Sequence, residues 1–238
     1  AKWTANANTP YIVEHRGQQT DLKGYEVFET EDLTGTTDTM ATAVAKNRTG
    51  FTLNSDAAGT QASGNIAGDG KLVLKLHYDR NVYDVKLSAN GGTIGSNVER
   101  YVYGVGADLP TSTNVAKNGY TFLGWYDNEE CSGGEIESIS DTDTGDKTFY
   151  AKWEANPSVI SFVTNGGSDV PSVNGKTDDT IANTVMPSVS RTGYTLTGWY
   201  DNEALSGSEV TQLPGKFPAG DVTYYAKWKA NRYTESFA

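Results

Sequence analysis

Gly119 to Glu129 reads GYTFLGWYDNE and Gly193 to Glu203 reads GYTLTGWYDNE, identical at nine of eleven positions. A chain that repeats itself in this way folds as a row of small similar units. The phrase Ala-Lys-Trp-x-Ala-Asn closes at Asn6, Asn156 and Asn231, and Asn81 falls on the same ruler, so the marks stand 75 residues apart. This period predicts three modules, 7–81, 82–156 and 157–231, as separate globular units in a line. Residues 1–6 then read as the tail of a preceding repeat and 232–238 as the start of a following one, as expected for a piece of a longer array whose units touch only their neighbours.

Units of this size are marginal without a disulfide, a metal, a neighbour or an aromatic core. Cys131 is the only cysteine, so no disulfide can close within the chain, and the packing falls to 5 Trp, 14 Tyr and 7 Phe. The net charge of -11 argues against a nucleic-acid backbone or an anionic membrane surface as partner. No apolar run of about 18 residues occurs, and no charged-then-apolar leader opens the sequence, so no membrane insertion is expected here and any export signal is expected upstream. The near-absence of cysteine suits a cytosolic protein and a Gram-positive surface protein equally.

The end of each module alternates: Leu72, Leu74, Leu76, Tyr78, then Phe149, Ala151, Trp153, then Val222, Tyr224, Ala226, Trp228. A period of two is a half-buried strand, with Trp153 and Trp228 on its inner face. Tyr83–Ala89 and Val159–Thr164 are likewise strands, each running into Asn-Gly-Gly, which predicts hairpin turns with positive φ at Asn90-Gly91 and Asn165-Gly166. Gly119 and Gly193 predict turns of the same kind, and Gly124 and Gly198 predict bulges. Helical periodicity is weak. Asn97–Val105 and Asp178–Val185 are the two places where a short helix could cross the sheet. The fold class is therefore mainly β, α+β at most: tandem modules, each a mixed sheet with at most one short helix. Module one keeps the length and final strand but differs inside, as a companion type.

The strands ending in Asn90-Gly91-Gly92 and Asn165-Gly166-Gly167, the blocks Gly119–Tyr126 and Gly193–Tyr200, and the strands Thr148–Trp153 and Thr223–Trp228 resemble Listeria-Bacteroides repeats, the B-repeat type of internalins. The resemblance implies a compact β-grasp-like fold in modules two and three and a setting in large exported bacterial surface proteins, as adhesin or stalk segments. Module one, with Tyr11-Ile12-Val13-Glu14-His15, Gly24-Tyr25-Glu26-Val27 and Leu33-Thr34-Gly35-Thr36-Thr37, is similar to the mucin-binding-like domains that accompany such repeats. That similarity implies mucin contact in some relatives and assigns no binding residue here.

The candidates for chemistry are few. His15 and His77 lie in no motif with Cys, Ser or a second His, and both are expected on strand surfaces. Cys131 follows Glu129-Glu130, which would raise its thiol pKa, and Leu205 stands nearby in the matching loop; it is expected to be an incidental small residue. Asp141-Thr142-Asp143-Thr144-Gly145-Asp146 has its glycine one place early for an EF-hand and Lys152 where the closing Glu belongs, so a solvated acidic turn is expected. Leu109-Pro110-Thr111-Ser112-Thr113 lacks the glycine of a sorting signal and is expected to be a loop. The Gly-Trp-Tyr triplets could stack on sugars, but tryptophan at an alternating strand position more often belongs to the core. No catalytic, cofactor-binding or metal residue is assigned, and no cofactor is expected.

Two functions fit. One is a non-catalytic extracellular spacer at the bacterial cell surface, whose partners are neighbouring modules of the same chain. The alternative is direct binding of a host glycan or surface protein by one module, foremost 7–81, which would expose Tyr11, Tyr25, Phe28 or the Gly-Trp-Tyr aromatics together in a patch or groove.

Overall fold

The computed structural model describes residues 2–232. The expected start of a following repeat, apart from Arg232, lies outside the described residues. Every regular element among them is a strand. The first stretch holds β1 (Thr9–Gln18), β2 (Tyr25–Gly35), β3 (Met40–Thr42), β4 (Phe51–Leu53), β5 (Ser63–Asn65) and β6 (Val73–Arg80). Next come β7 (Val82–Ser88), β8 (Thr93–Ile94), β9 (Arg100–Val102), β10 (Ala107–Asp108), β11 (Val115–Ala116), β12 (Tyr120–Tyr126), β13 (Ser138–Ile139) and β14 (Lys147–Ala155). The last are β15 (Pro157–Val163), β16 (Val173–Lys176), β17 (Tyr194–Tyr200) and β18 (Val222–Ala230).

Three four-stranded sheets share one plan: β2-β1-β6-β4, β9-β7-β14-β12 and β16-β15-β18-β17. In each, the first and last strands run parallel at the centre, Val13 beside Leu74, Val85 beside Lys147 and Ile160 beside Val222. Antiparallel strands β2 and β4, β9, and β16 and β17 flank that pair, and β12 lies beside β14. A parallel pair needs a long crossover between its strands, and here the crossover is irregular chain with small ladders, β3–β5 and β10–β13 among them. This is the mixed β-grasp-like order that the resemblance implies, and the first sheet has it too. The chain packs as two compact units. One holds the chain up to Ser88 with Ser96–Thr111 and Trp125–Tyr150; the other holds Ala89–Gly95, Ser112–Gly124 and the chain from Ala151 on.

The two short helices do not form. Arg100–Val102 is drawn into the sheet as β9, opposite Val82–Asp84, and left-handed Gly104 and Gly106 turn the chain directly after it. Asp178, the expected cap, is itself left-handed at φ 67, and Thr180 and Val185 bridge to Lys216 and Gln212 instead. Backbone groups that find strand partners have no need of a helix.

Asn90-Gly91 and Asn165-Gly166 do have positive φ at both residues, but they are not hairpins. β7 and β15 take their antiparallel partners later, from β9 and β16. The turns are instead seats for indoles. The Trp153 and Trp228 Nε1–H groups donate to the carbonyls of Ala89 and Thr164, at 2.8 and 2.7 Å, and a Cβ on Gly92 or Gly167 would overlap the indole. These two tryptophans are half-buried, whereas Trp125 and Trp199 are each 2% exposed. The latter donate to the carbonyls of Pro110 and Pro187, at 2.7 and 3.0 Å. Gly198 sits at the expected bulge of β17.

The matched cores are filled differently. In the second sheet Tyr101, opposite Tyr83, is 1% exposed and its hydroxyl donates to the Gly145 carbonyl at 2.7 Å. In the third sheet the same pair is Ser158 opposite Gly175. Phe217 reaches over Gly175 from a loop, and the Ser158 hydroxyl donates to the Gly220 carbonyl at 2.9 Å. Ile160, Ile181, Trp199, Leu213, Phe217, Tyr224 and Ala226 form that core.

Candidate functional site: asparagine-centred joints

Two of the ruler asparagines, Asn81 and Asn156, bond to residues of both neighbouring sheets. Asn81 N–H donates to the Gly50 carbonyl (2.8 Å), the Asn81 carbonyl accepts from Tyr103 N–H (3.0 Å), and its Oδ1 accepts from the Thr52 hydroxyl (2.7 Å). Asn156 repeats this with Gly119 (2.9 Å), Thr177 (2.9 Å) and Thr121 (2.6 Å). One residue thus satisfies backbone groups on both sides of the junction. The glycines are required there. Gly50 and Gly119 are left-handed, and a Cβ would overlap the Tyr103 ring at Gly50 and Thr177 and Ala219 at Gly119.

The two joints are chemically distinct. Around Asn81, Phe51 packs edge-on against Tyr103, and Arg80 donates to the Gln18 and Tyr103 carbonyls at 2.7 and 3.0 Å. Around Asn156, the Tyr120 hydroxyl donates to Asp178 at 2.8 Å and Lys176 pairs with Glu154 at 3.1 Å. Asp178 raises the Tyr120 pKa, because the carboxylate accepts the phenol proton's hydrogen bond and opposes a second negative charge.

Asn6 and Asn231 each carry half of the pattern. The Asn6 carbonyl accepts from Thr37 N–H at 2.8 Å. Asn231 N–H donates to the Gly193 carbonyl at 2.9 Å and its Oδ1 accepts from the Thr195 hydroxyl at 2.7 Å. The sequence held the signal for these joints, since Gly-Phe/Tyr-Thr recurs at Gly50, Gly119 and Gly193, but the partner lies in another sheet.

Both histidines are buried, contrary to the surface position expected for them: His15 is 0% and His77 3% exposed. His15 alternates with buried Val13 and Gly17 and pairs with Leu76, so it points into the core, whereas His77 lies on the opposite face and is covered there by Tyr25 and Thr60. His15 Nδ1 lies 2.9 Å from the Tyr78 hydroxyl and its Nε2 3.4 Å from Glu31. Lys46 bridges Glu29 and Glu31, and Arg48 binds Glu29 at 2.8 Å while stacking on Phe28. Lys46 is the main cause of the lowered pKa of both glutamates. His77 lies 2.8 Å from the Thr60 hydroxyl and under the edge of Tyr25, whose hydroxyl donates to Asp79. Burial pushes the His77 pKa down, helped by Arg16 and Lys75. Sealed from solvent, neither imidazole can reach a substrate.

Tyr11, Tyr25 and Phe28 are half-buried rather than gathered in an exposed patch. Cys131 is buried at φ 48, with Leu205 at φ 50 in the matching turn. Asp143 pairs with Lys147 at 3.7 Å and Asp146 accepts the Asp84 N–H at 2.9 Å. Among the described residues no three His, Cys, Asp or Glu side chains converge as metal ligands, and no helix is long and apolar enough to cross a membrane. Leu109 is buried and the Pro110 carbonyl is held by Trp125, which pins the loop there. A cavity of about 580 Å³ opens in the third sheet's crossover, lined by Phe162, Val173, Ile181, Val185, Leu213 and Phe217.

Two Evansella cellulosilytica proteins whose names describe them as membrane proteins are similar to this chain, 34% and 35% identical over 169 and 173 residues. These matches cover 70% and 71% of the chain and 24% and 19% of the relatives. Internalin H of Listeria monocytogenes serovar 1/2a is 30% identical over 151 residues, 63% of this chain and 25% of its own length. The chain therefore spans about a quarter or less of each. The crystal structure of Mub-RV aligns with 92% of this chain and 99% of its own at 12% identity and a TM-score of 0.27. The pattern of the Listeria-Bacteroides repeat domain matches residues 83–152 and 159–227, more than half of the sequence, and the chain belongs to that family.

Proposed function

We infer that this chain is a non-catalytic spacer segment of an adhesin-like protein on the outer surface of a bacterium, built of modules 7–81, 82–156 and 157–231. The observation that carries this reading is the recurrence of the asparagine joint at Asn81 and Asn156, which ties successive modules by backbone hydrogen bonds. Neighbouring modules of the same chain are its partners. The surface setting is supported by the family and by the similarity to Internalin H. The non-catalytic reading is supported by the burial of both histidines and of the one thiol. The half-buried state of Tyr11, Tyr25 and Phe28 weighs against direct glycan contact by the first module.

The test is a binding domain displayed on a bacterial surface with and without this segment. The segment should let it capture targets on an opposing surface that the directly anchored domain captures poorly, while an array of mucin glycans probed with the chain should give no saturable signal. Equal capture without the segment would sink the spacer reading. Saturable glycan binding, lost on changes within 7–81, would establish the binding one.

A further inference from the structure

The two complete joints pair unlike ends by a consistent rule. A leaving Gly-Phe-Thr, at Gly50 to Thr52, meets an entering Tyr103-Gly104, with an aromatic ring on the glycine and no carboxylate opposite the phenylalanine. A leaving Gly-Tyr-Thr, at Gly119 to Thr121, meets an entering Thr177-Asp178, with a threonine on the glycine and a carboxylate taking the tyrosine hydroxyl. The entering residues are equivalent in backbone as well. Asp38, Gly104 and Asp178 are left-handed at φ 65, 82 and 67, and their N–H groups donate to the carbonyls of Ile66, Asp141 and Phe217.

We propose that the face formed by Gly193, Tyr194, Thr195 and Asn231 is the receiving half of a further joint, and that it fits an entering module of the Thr-Asp kind, as residues 7–81 of this chain present at Thr37-Asp38. This rests on the spacer reading and names the partner of its joints. Gly193 is left-handed at φ 79, and among the described residues nothing lies within 4 Å of where its Cβ would be. Tyr194 is exposed and carries Arg191 on its ring at 3.8 Å, as Tyr120 carries Lys117 at 4.1 Å. The phenol is thus held as it is in the joint at Asn156. Lys229 stands where Glu154 stands in that joint. An entering Lys176 would meet it as a like charge, whereas Thr36, the equivalent in module one, would not. The 7–81 type is therefore the better fit than a second copy of 157–231.

The experiment extends the full chain after Asn231 with a second copy of residues 7–81 and follows it by NMR. Resonances duplicating those of the native 7–81 module report that the copy is folded. The Thr177 side chain and the Gly119 α-protons give an internal reference cross-peak. A matching cross-peak is expected between the copy's Thr37 and Gly193, together with a displacement of the Tyr194 ring resonances that Asp38→Asn in the copy largely removes. A folded copy with the reference cross-peak present, but no Thr37 to Gly193 cross-peak or Tyr194 ring resonances unchanged from the parent chain, overturns the proposal and leaves the spacer reading standing. Loss of the reference cross-peak itself would instead refute the joint on which that reading rests.

Discussion

Phe217 lies over Gly175 in the space that a Cβ would need, and the matching strand position in the second repeat is Tyr101, which fills its core from the strand itself. The hydroxyls of Tyr101 and Ser158 then cap equivalent glycine carbonyls, Gly145 and Gly220. One strand order thus encloses two cores filled by different side chains, Tyr101 from a strand in one and Phe217 from a loop in the other.

Gly175→Ala should cost about 1–3 kcal/mol by overpacking and Phe217→Ala about 3–5 kcal/mol by opening a cavity. In urea melts the double variant should fall well short of the sum, since removing the ring makes room for the methyl. Strict additivity would mean that the ring moves aside freely.

Burial, with Asp143, Tyr83 and Asp146 nearby, pushes the Tyr101 pKa up to about 12 from 10.0. The folded state then holds its proton more tightly than the unfolded state. The stability this gives is complete below pH 10 and is lost as pH rises through 12, on the order of 2 kcal/mol for a shift of this size. Tyr101→Phe should flatten that decline, read as the unfolding midpoint against pH.

Asn156→Ala keeps the backbone bonds of the joint but removes the acceptor of the Thr121 hydroxyl. A loss of about 0.5–1.5 kcal/mol is expected, with faster exchange of the Thr177 amide. Asn156→Asp, which retains the acceptor, should recover most of that protection. Equal damage in both variants would locate the joint's strength elsewhere.

Lys46 holds Glu29 and Glu31 below their ordinary value of 4.5. Their contribution is present above that value and is lost as pH falls through the lower folded pKa values. Lys46→Met should therefore move the acid unfolding midpoint upward in pH, by less at high salt. An unmoved midpoint would show that the cluster is electrostatically idle.

Much of the frame was legible because it is local or periodic. The alternating residues of β6, β14 and β18 and the left-handed Asn-Gly pairs follow from side-chain spacing and from φ alone. The misplaced helices at 97–105 and 178–185 and the misplaced His77 share another origin. Whether Arg100–Val102 becomes strand depends on β7 lying beside it, and whether His77 is buried depends on Tyr25 and Thr60 covering the second face of the sheet, whereas the inward place of His15 follows its alternation with Val13.

The sequence by itself determined the period, the strand-rich composition and the asparagine that marks each repeat, since covalent order and side-chain alternation are properties of the chain. Only the tertiary structure decided that Asn81 and Asn156 are joints, that Phe217 substitutes for Tyr101, and that a turn is a seat for Trp153 or Trp228. Each depends on a partner tens of residues away. A donor, a ring or a missing Cβ acquires meaning only when the fold brings its complement to it.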